Sequence, residues 1–212
     1  MELTRLIVVR HGETAWNVAT RIQGQLDIPL NATGEWQAGR VGQALAEEPL
    51  AAIYASDLAR AWHTALAIAG PQQLDVVAEP GLRERAFGHF EGMSFAQIDA
   101  DLPVQARLWR TRDPDFAPDG GESLLVFRDR VLAVTTGLAA RHPGQLIALV
   151  AHGGVVDVLY RLATRQALQA PRTWHLGNAA INRLLWTPEG FSLVGWGDTQ
   201  HLDDGTLDES TV

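Results

Sequence analysis

Two apolar runs constrain the fold more than any other feature: residues 6–9 in "LIVVRHG" and 146–151 in "LIALVAHGG". A strand with one wet face alternates apolar and polar residues. A run without a polar break suits a strand covered on both faces, as in a mainly parallel sheet. Each run ends on histidine followed by glycine, at His11-Gly12 and at His152-Gly153. In doubly wound sheets ligands sit beyond the carboxyl ends of the strands, so both histidines are placed at one sheet edge.

Further strand-like runs span 51–56, 74–79, 181–186 and 191–196, and the last two flank "TPEG", a hairpin signal near a sheet edge. Helical patterns cover 31–47, 57–70, 121–144 and 154–166, with Asp57 as the N-cap and Gly70 as the stop of the second. This alternation predicts an α/β fold with three layers: a mainly parallel central sheet with helices on both faces. Segment 86–120, rich in Phe, Asp, Pro and Gly, breaks the rhythm and reads as a lid or specificity insertion. The chain of 212 residues is expected to form one domain over 1–202, and the acidic 203–212 to form a flexible tail.

Charge and composition narrow the partners. The formal net charge is −8, and the chain has no lysine, so all 17 basic residues are arginines. Such a chain is a poor general partner for nucleic acid or an anionic membrane. A small anion met by a local arginine pocket remains open. The absence of cysteine excludes disulfides, thiolate catalysis and Cys-based metal sites, and fits a cytoplasmic setting. No apolar run approaches the ~20 residues that span a bilayer, and "MELTRLIVVRHG" reads as a first strand rather than a signal peptide.

The chemistry gathers at the two strand ends. A strand-to-helix turn offers free backbone N–H groups and a positive helix end to an anion. Arg10, and Arg60 in "SDLARAWHTA", offer guanidinium forks that bind phosphate at two points. A histidine there is a packed structural residue, a metal ligand with His11, His152 and Glu84 as the set, or part of a phosphate site. The metal set lacks the close His-x-x-x-His spacing of ligand helices, and flanking arginines repel a cation.

Six blocks then occur in order: "RHGETAWN", "RIQGQLDIPLNATG" (21–34), "YASDLARAWHTA" (54–65), "LRERAFGHFEGMS" (82–94), "PDGGES" (118–123) and "VAHGG" (150–154). Together they resemble the signature motifs of the histidine phosphatase superfamily, the phosphoglycerate mutase-like proteins. One block alone is weak; the ordered set is specific.

The resemblance implies that His11 is the nucleophile and forms a phosphohistidine. It implies that Arg10, Arg60 and His152 surround the transferring phosphoryl group, that Asn17 donates an amide hydrogen bond to it, and that Glu84 is the proton donor to the leaving oxygen. Gln23 and Gly24 fall at the substrate loop, and Gly153 offers its N–H to phosphate. No metal and no cofactor are implied, because arginines take the usual place of Mg²⁺. Elementary chemistry agrees: a neutral imidazole accepts phosphoryl groups near neutral pH, and fixed positive charge stabilises the transition state. Gly12 is read as letting the chain turn. Arg83 and Arg85 flank Glu84 and are read as pointing outward or toward substrate. His63 and His89 are rim or surface residues, His142, His175 and His201 lie on solvated loops, and Trp109 is the candidate for an apolar pocket wall.

The family holds phosphatases and mutases. The short span from Glu84 to "PDGGES" and the "AHGGVV" form of the second histidine motif favour a phosphatase acting on small phosphorylated metabolites. Arg107, Arg110 and Arg112 in that span keep an acidic substrate open. A cofactor-dependent phosphoglycerate mutase, which uses 2,3-bisphosphoglycerate, is the alternative, and a non-catalytic phospho-ligand binder ranks below both. The expected assembly is a monomer or homodimer.

Overall fold

The structure is a computed structural model and describes residues 3–203. The predicted acidic tail therefore lies outside the described residues except for Asp203. Six strands form one sheet: β1 (Thr4–Arg10), β2 (Leu50–Ala55), β3 (Val76–Ala78), β4 (Leu146–Ala151), β5 (Ile181–Thr187) and β6 (Gly190–Asp198). Their spatial order is β3-β2-β4-β1-β5-β6. β1 to β4 run parallel, and β5 joins β1 and β6 antiparallel. The helices are α1 (Ala15–Val18), α2 (Ala32–Ala44), α3 (Ala59–Gln72), α4 (Phe95–Asp101), α5 (Pro103–Arg110), α6 (Leu124–Ala140) and α7 (Gly153–Thr164).

The unbroken apolar runs are explained by what covers them. Along β1, Leu6 and Val8 enter one core cluster with Phe127, Val155 and Leu159 of α6 and α7. Ile7 and Val9 enter a second with Val41 of α2, Leu45 just past its end, and Ala61 and Ile68 of α3. All four side chains are essentially inaccessible, each stabilising by about 1.5–3 kcal/mol relative to exposure. The three-layer α/β architecture follows. The chain leaves β1 toward one face and β4 toward the other, so these adjacent strands form the topological switch where open α/β sheets bind ligands.

Several element boundaries differ from expectation. Asp57 does not cap α3: the N-cap position is Leu58, without a side-chain bond. Asp57 instead holds Arg83 (2.7 and 2.5 Å) while Asp27 accepts the Ala59 N–H (2.7 Å). Gly70 does not stop α3, which runs to Gln72 and ends on Gln73 in the left-handed region. The Gln72 amide then ties the end of α3 to the carbonyls of Leu45, Ala46 and Glu48. Residues 86–120 carry α4 and α5 and pack a small cluster of Phe90, Ile98 and Ala106 against Ile22. Among the described residues no helix is long and apolar enough to cross a membrane.

Candidate active site

A cavity of about 600 Å³ opens at the carboxyl ends of β1 and β4. Arg10, His11, Asn17, Gln23, Gly24, Arg60, Glu84 and Gly153 all line it, so eight of the nine residues singled out from sequence meet there. The ninth, His152, lies within the protein, 0% exposed, with its ring centroid 5.2 Å from that of His11.

His11 is poised by its backbone. Its Nδ1 lies 2.7 Å from the Gly12 carbonyl oxygen. A carbonyl only accepts, so Nδ1 carries the proton and Nε2 keeps its lone pair. Burial, then the charges of Arg10 and Arg60, push the His11 pKa well below its ordinary value, so the ring is neutral. His152 is shifted the same way by burial, then Arg60, His11 and Arg10. Its Nε2 contacts Ser56 Oγ at 2.8 Å.

The glycine after His11 is needed for packing rather than for turning. Its φ is not in the left-handed region, but a Cβ would overlap the Gly34 carbonyl of α2. Its N–H donates to Thr64 Oγ1 (3.1 Å), which locks the turn onto α3. Gly24 does need its freedom: φ is +53°, and a Cβ there would strike the Glu91 carboxylate.

The arginines are held by carbonyls. Arg60, 1% exposed, donates Nη1 to the Leu26 and Nη2 to the Gly24 carbonyl, both at 2.7 Å. Burial lowers its pKa to about 10, which leaves it charged at neutral pH. Arg10 donates Nη1 to the Leu176 carbonyl. The Nε groups of both, together with Gln23 Oε1 and His152 Nδ1, are buried without a partner among the described residues. A buried polar group without a partner costs about 1–3 kcal/mol, and such groups are rare enough that four within one site point to a polar ligand.

Asn17 is oriented by three donors on its Oδ1: Thr14 N–H (3.0 Å), Thr14 Oγ1 (3.1 Å) and Asn178 Nδ2 (3.3 Å). Its Nδ2 finds no partner among the described residues. Asn178 Nδ2 also donates to the His11 carbonyl (3.0 Å). Glu84 accepts the Arg85 N–H (2.8 Å) and, from the first turn of α7, the Gly154 N–H (2.9 Å). Gly153 lines the cavity with its N–H unpaired among the described residues.

Some expectations need correction. Of the two directions expected for Arg85, outward fails and toward substrate fits: it is 4% exposed, donates to the Glu122 and Phe116 carbonyls and lines the cavity. Burial lowers its pKa to about 10. His175 is exposed on a loop, as expected, and also lines the cavity. His201 is half-buried against the Ala179 carbonyl (3.0 Å), and His142 contacts Tyr54 Oη (2.8 Å). His63 and His89 are exposed and lie outside the cavity wall. Trp109 lines it, stacked 5.3 Å from Phe90. Arg107 and Arg110 are exposed, whereas Arg112 lines the cavity and pairs with Asp157 (2.9 Å). Among the described residues no group of three or more metal-ligating side chains is assembled.

Sequence reasoning missed Asn178, Ser56, Thr64 and Asp157. Ser56 and Thr64 stand inside the 54–65 block, and Asp157 is an acid inside the apolar "GVVDVL" stretch of α7, where it is 3% exposed, whereas Asn178 carried no such signal.

Comparison with known proteins agrees with this geometry. The family model described as "Histidine phosphatase superfamily (branch 1)" matches residues 6–199. A phosphoglycerate mutase-like protein 4 of Arabidopsis thaliana is 34% identical over 208 residues, covering 96% of this chain and 89% of that protein. A metal-independent phosphoserine phosphatase of the same plant is 34% identical over 207 residues, covering 95% and 84%. The structure of a mycobacterial glucosyl-3-phosphoglycerate phosphatase complexed with VO3 superposes with a TM-score of 0.82 at 34% identity, covering 92% of this chain and 99% of that one. Six motif blocks in order, the switch-point cavity that gathers them and a family match across nearly the whole chain lead to one conclusion: this chain belongs to branch 1 of the histidine phosphatase superfamily.

Proposed function

We propose that the protein is a metal-independent phosphomonoester hydrolase that works through a phosphohistidine on His11. The observation that carries this reading is the cluster of buried unpaired donors, Arg10 Nε and Arg60 Nε, beside a neutral histidine whose Nε2 is free. That set suits a phosphoryl group, and relatives with phosphatase activity in their names support it.

In the first step Nε2 of His11 attacks phosphorus. The N–P bond forms as the P–O bond to the alcohol breaks, and Glu84 gives its proton to the leaving oxygen. Arg10, Arg60, the Asn17 amide and the Gly153 N–H stabilise the equatorial oxygens, together with His152, whose buried ring lies 5.2 Å from that of His11. In the second step water attacks phosphorus, Glu84 takes up its proton, and the N–P bond breaks to give inorganic phosphate. Segment 86–120 supplies part of the wall that meets the alcohol, through Phe95, Trp109 and Arg112.

The test uses p-nitrophenyl phosphate and a panel of phosphoesters with EDTA present. Turnover is expected without metal, and His11→Ala is expected to lower it at least about a thousandfold. No turnover, or turnover only after metal addition, counts against the reading. The mutase alternative is kept open by the named mutase-like relative. Efficient interconversion of 3- and 2-phosphoglycerate with 2,3-bisphosphoglycerate supplied would make the mutase reading the better one.

A further inference from the structure

Glu84 stands on a segment with no regular structure of its own. Residues 83–87 belong to no helix or strand, so no ladder satisfies their backbone groups. Arg130 of α6 takes up part of that role. Its Nη1 donates to the Gly81 (2.8 Å) and Arg83 (2.9 Å) carbonyls, and its Nη2 to the Glu84 carbonyl (3.2 Å). The same guanidinium donates Nε to Glu122 Oε1 (2.8 Å) and Nη2 to Glu122 Oε2 (2.7 Å). Every N–H of this guanidinium thus has a partner.

Glu122 extends the hold to Ala86. Its Oε2 accepts the Ala86 N–H (2.9 Å), and its own N–H donates to the Ala86 carbonyl (2.8 Å). Burial raises the Glu122 pKa, but the hydrogen bonds from Arg130 and Ala86 outweigh it and keep the carboxyl below its ordinary value, ionised beside Arg130. Two parallel bonds between a guanidinium and a carboxylate fix direction as well as distance. The backbone is therefore held before, at and after Glu84. Neither Arg130 nor Glu122 lines the cavity, so their reach to the chemistry runs through the main chain of Glu84.

We propose that Arg130, braced by Glu122, is a positioning residue that aims the Glu84 carboxyl at the leaving oxygen. This rests on the hydrolase reading of the cavity, with Glu84 as its acid. The Arg85 and Gly154 N–H groups orient the tip of that side chain. The clamp fixes the main chain from which it hangs, and the Gln25 amide shares the Glu84 carbonyl (3.1 Å). Proton transfer needs heavy atoms within about 2.6–3.2 Å of each other, and a misplacement of about 1 Å costs on the order of a hundredfold. Attack by His11 Nε2 does not pass through this segment. Loosening the clamp therefore weighs on protonation of the leaving group more than on attack at phosphorus.

The test compares turnover of alkyl esters (glycerol 2-phosphate and phosphoserine), whose leaving oxygen needs a proton, with that of p-nitrophenyl phosphate, whose leaving group needs little help. The proteins are wild type, Glu84→Gln, Arg130→Lys and the double variant. Lysine keeps the positive charge but donates from one nitrogen, which cannot reach a carboxylate and three carbonyls at once. Arg130→Lys is expected to slow the alkyl esters at least about tenfold more than the aryl ester, in kcat with little change in KM. In the Glu84→Gln background it adds no further selective loss. Arg128→Gln, which removes another arginine of α6 bonded to Asp129 instead, keeps the wild-type ratio of the two rates. An equal loss for both ester types in Arg130→Lys, or a lower Tm with an unchanged ratio, overturns the positioning role and leaves the acid reading of Glu84 standing. No selective loss in Glu84→Gln, or no alkyl turnover in the wild type, overturns the acid reading and the positioning role with it. If Arg130→Lys does not fold, Glu122→Gln decides in the same terms, because it keeps an oxygen for the Ala86 N–H and weakens the two-point hold on Arg130: selective loss supports the role, and equal loss overturns it.

Discussion

At the scale of single residues, the site is set by small groups that hold larger ones. Asn178 fixes the amide of Asn17 and the backbone of His11 at once. Asn178→Ala is expected to lower kcat/KM about three- to tenfold, the worth of one or two hydrogen bonds. Its effect should not add to that of Asn17→Ala in a double-mutant cycle, because both act through one amide. Additive losses would contradict the assignment. The neutral state of His11 gives a second expectation. Burial and the neighbouring arginines depress its pKa, so NMR titration of the ligand-free protein should show His11 and His152 unprotonated through pH ~6.5, where a free histidine is half charged. Residue types were the most legible layer: the histidines, Glu84 and the arginines that meet at the cavity stand in local motifs. Asn178 was not, since "GNAA" before β5 has no pattern that distinguishes an ordering amide from a loop residue.

At the scale of elements, the ends of β1 and β4 and the start of α7 place the chemistry. The sequence periodicity showed these elements, because unbroken apolar runs have few other homes. It did not show which side chains cross between elements. Arg83 and Arg85 stand two residues apart on either side of Glu84, yet Arg83 is claimed by Asp57 and Arg85 by two distant carbonyls. Such partners lie about 25–40 residues away and leave no periodic trace. The crossing of Glu84 onto α7 yields a prediction. A Cβ on residue 154 would overlap the Glu84 carboxylate. Gly154→Ala should therefore displace the acid and slow alkyl phosphates, which need a proton on the leaving oxygen, at least about tenfold more than p-nitrophenyl phosphate, whose leaving group needs little help. An equal loss for both substrate types would contradict the role of Glu84.

At the scale of the whole molecule, two apolar clusters on opposite faces of one sheet support a buried site rich in charge. That combination makes stability depend on pH. The two buried histidines have folded-state pKa values below the unfolded value, so the unfolded chain binds more protons as pH falls through about 6.5. Their neutral burial is therefore compatible with full stability above that pH and costs stability below it. Tm should fall between about pH 7 and pH 5.5, before most carboxylates titrate, and a His11→Gln, His152→Gln double variant should flatten that fall. An unchanged slope would place the effect elsewhere. The three-layer architecture was legible from the alternation of elements. The gathering of Arg112, Arg161 and Arg172 around Asp157 was not, because it joins the turn after α5, α7 and the 165–175 region, and only folding brings these together.

The central claim is that His11 carries the phosphoryl group covalently. Single-turnover quenching with a ³²P-labelled phosphomonoester tests it most directly. The account predicts an acid-labile, base-stable label, about one per chain, that maps to the peptide containing His11 and is absent in His11→Ala. Turnover without any trapped label in the wild type, or label that survives in His11→Ala, would contradict it.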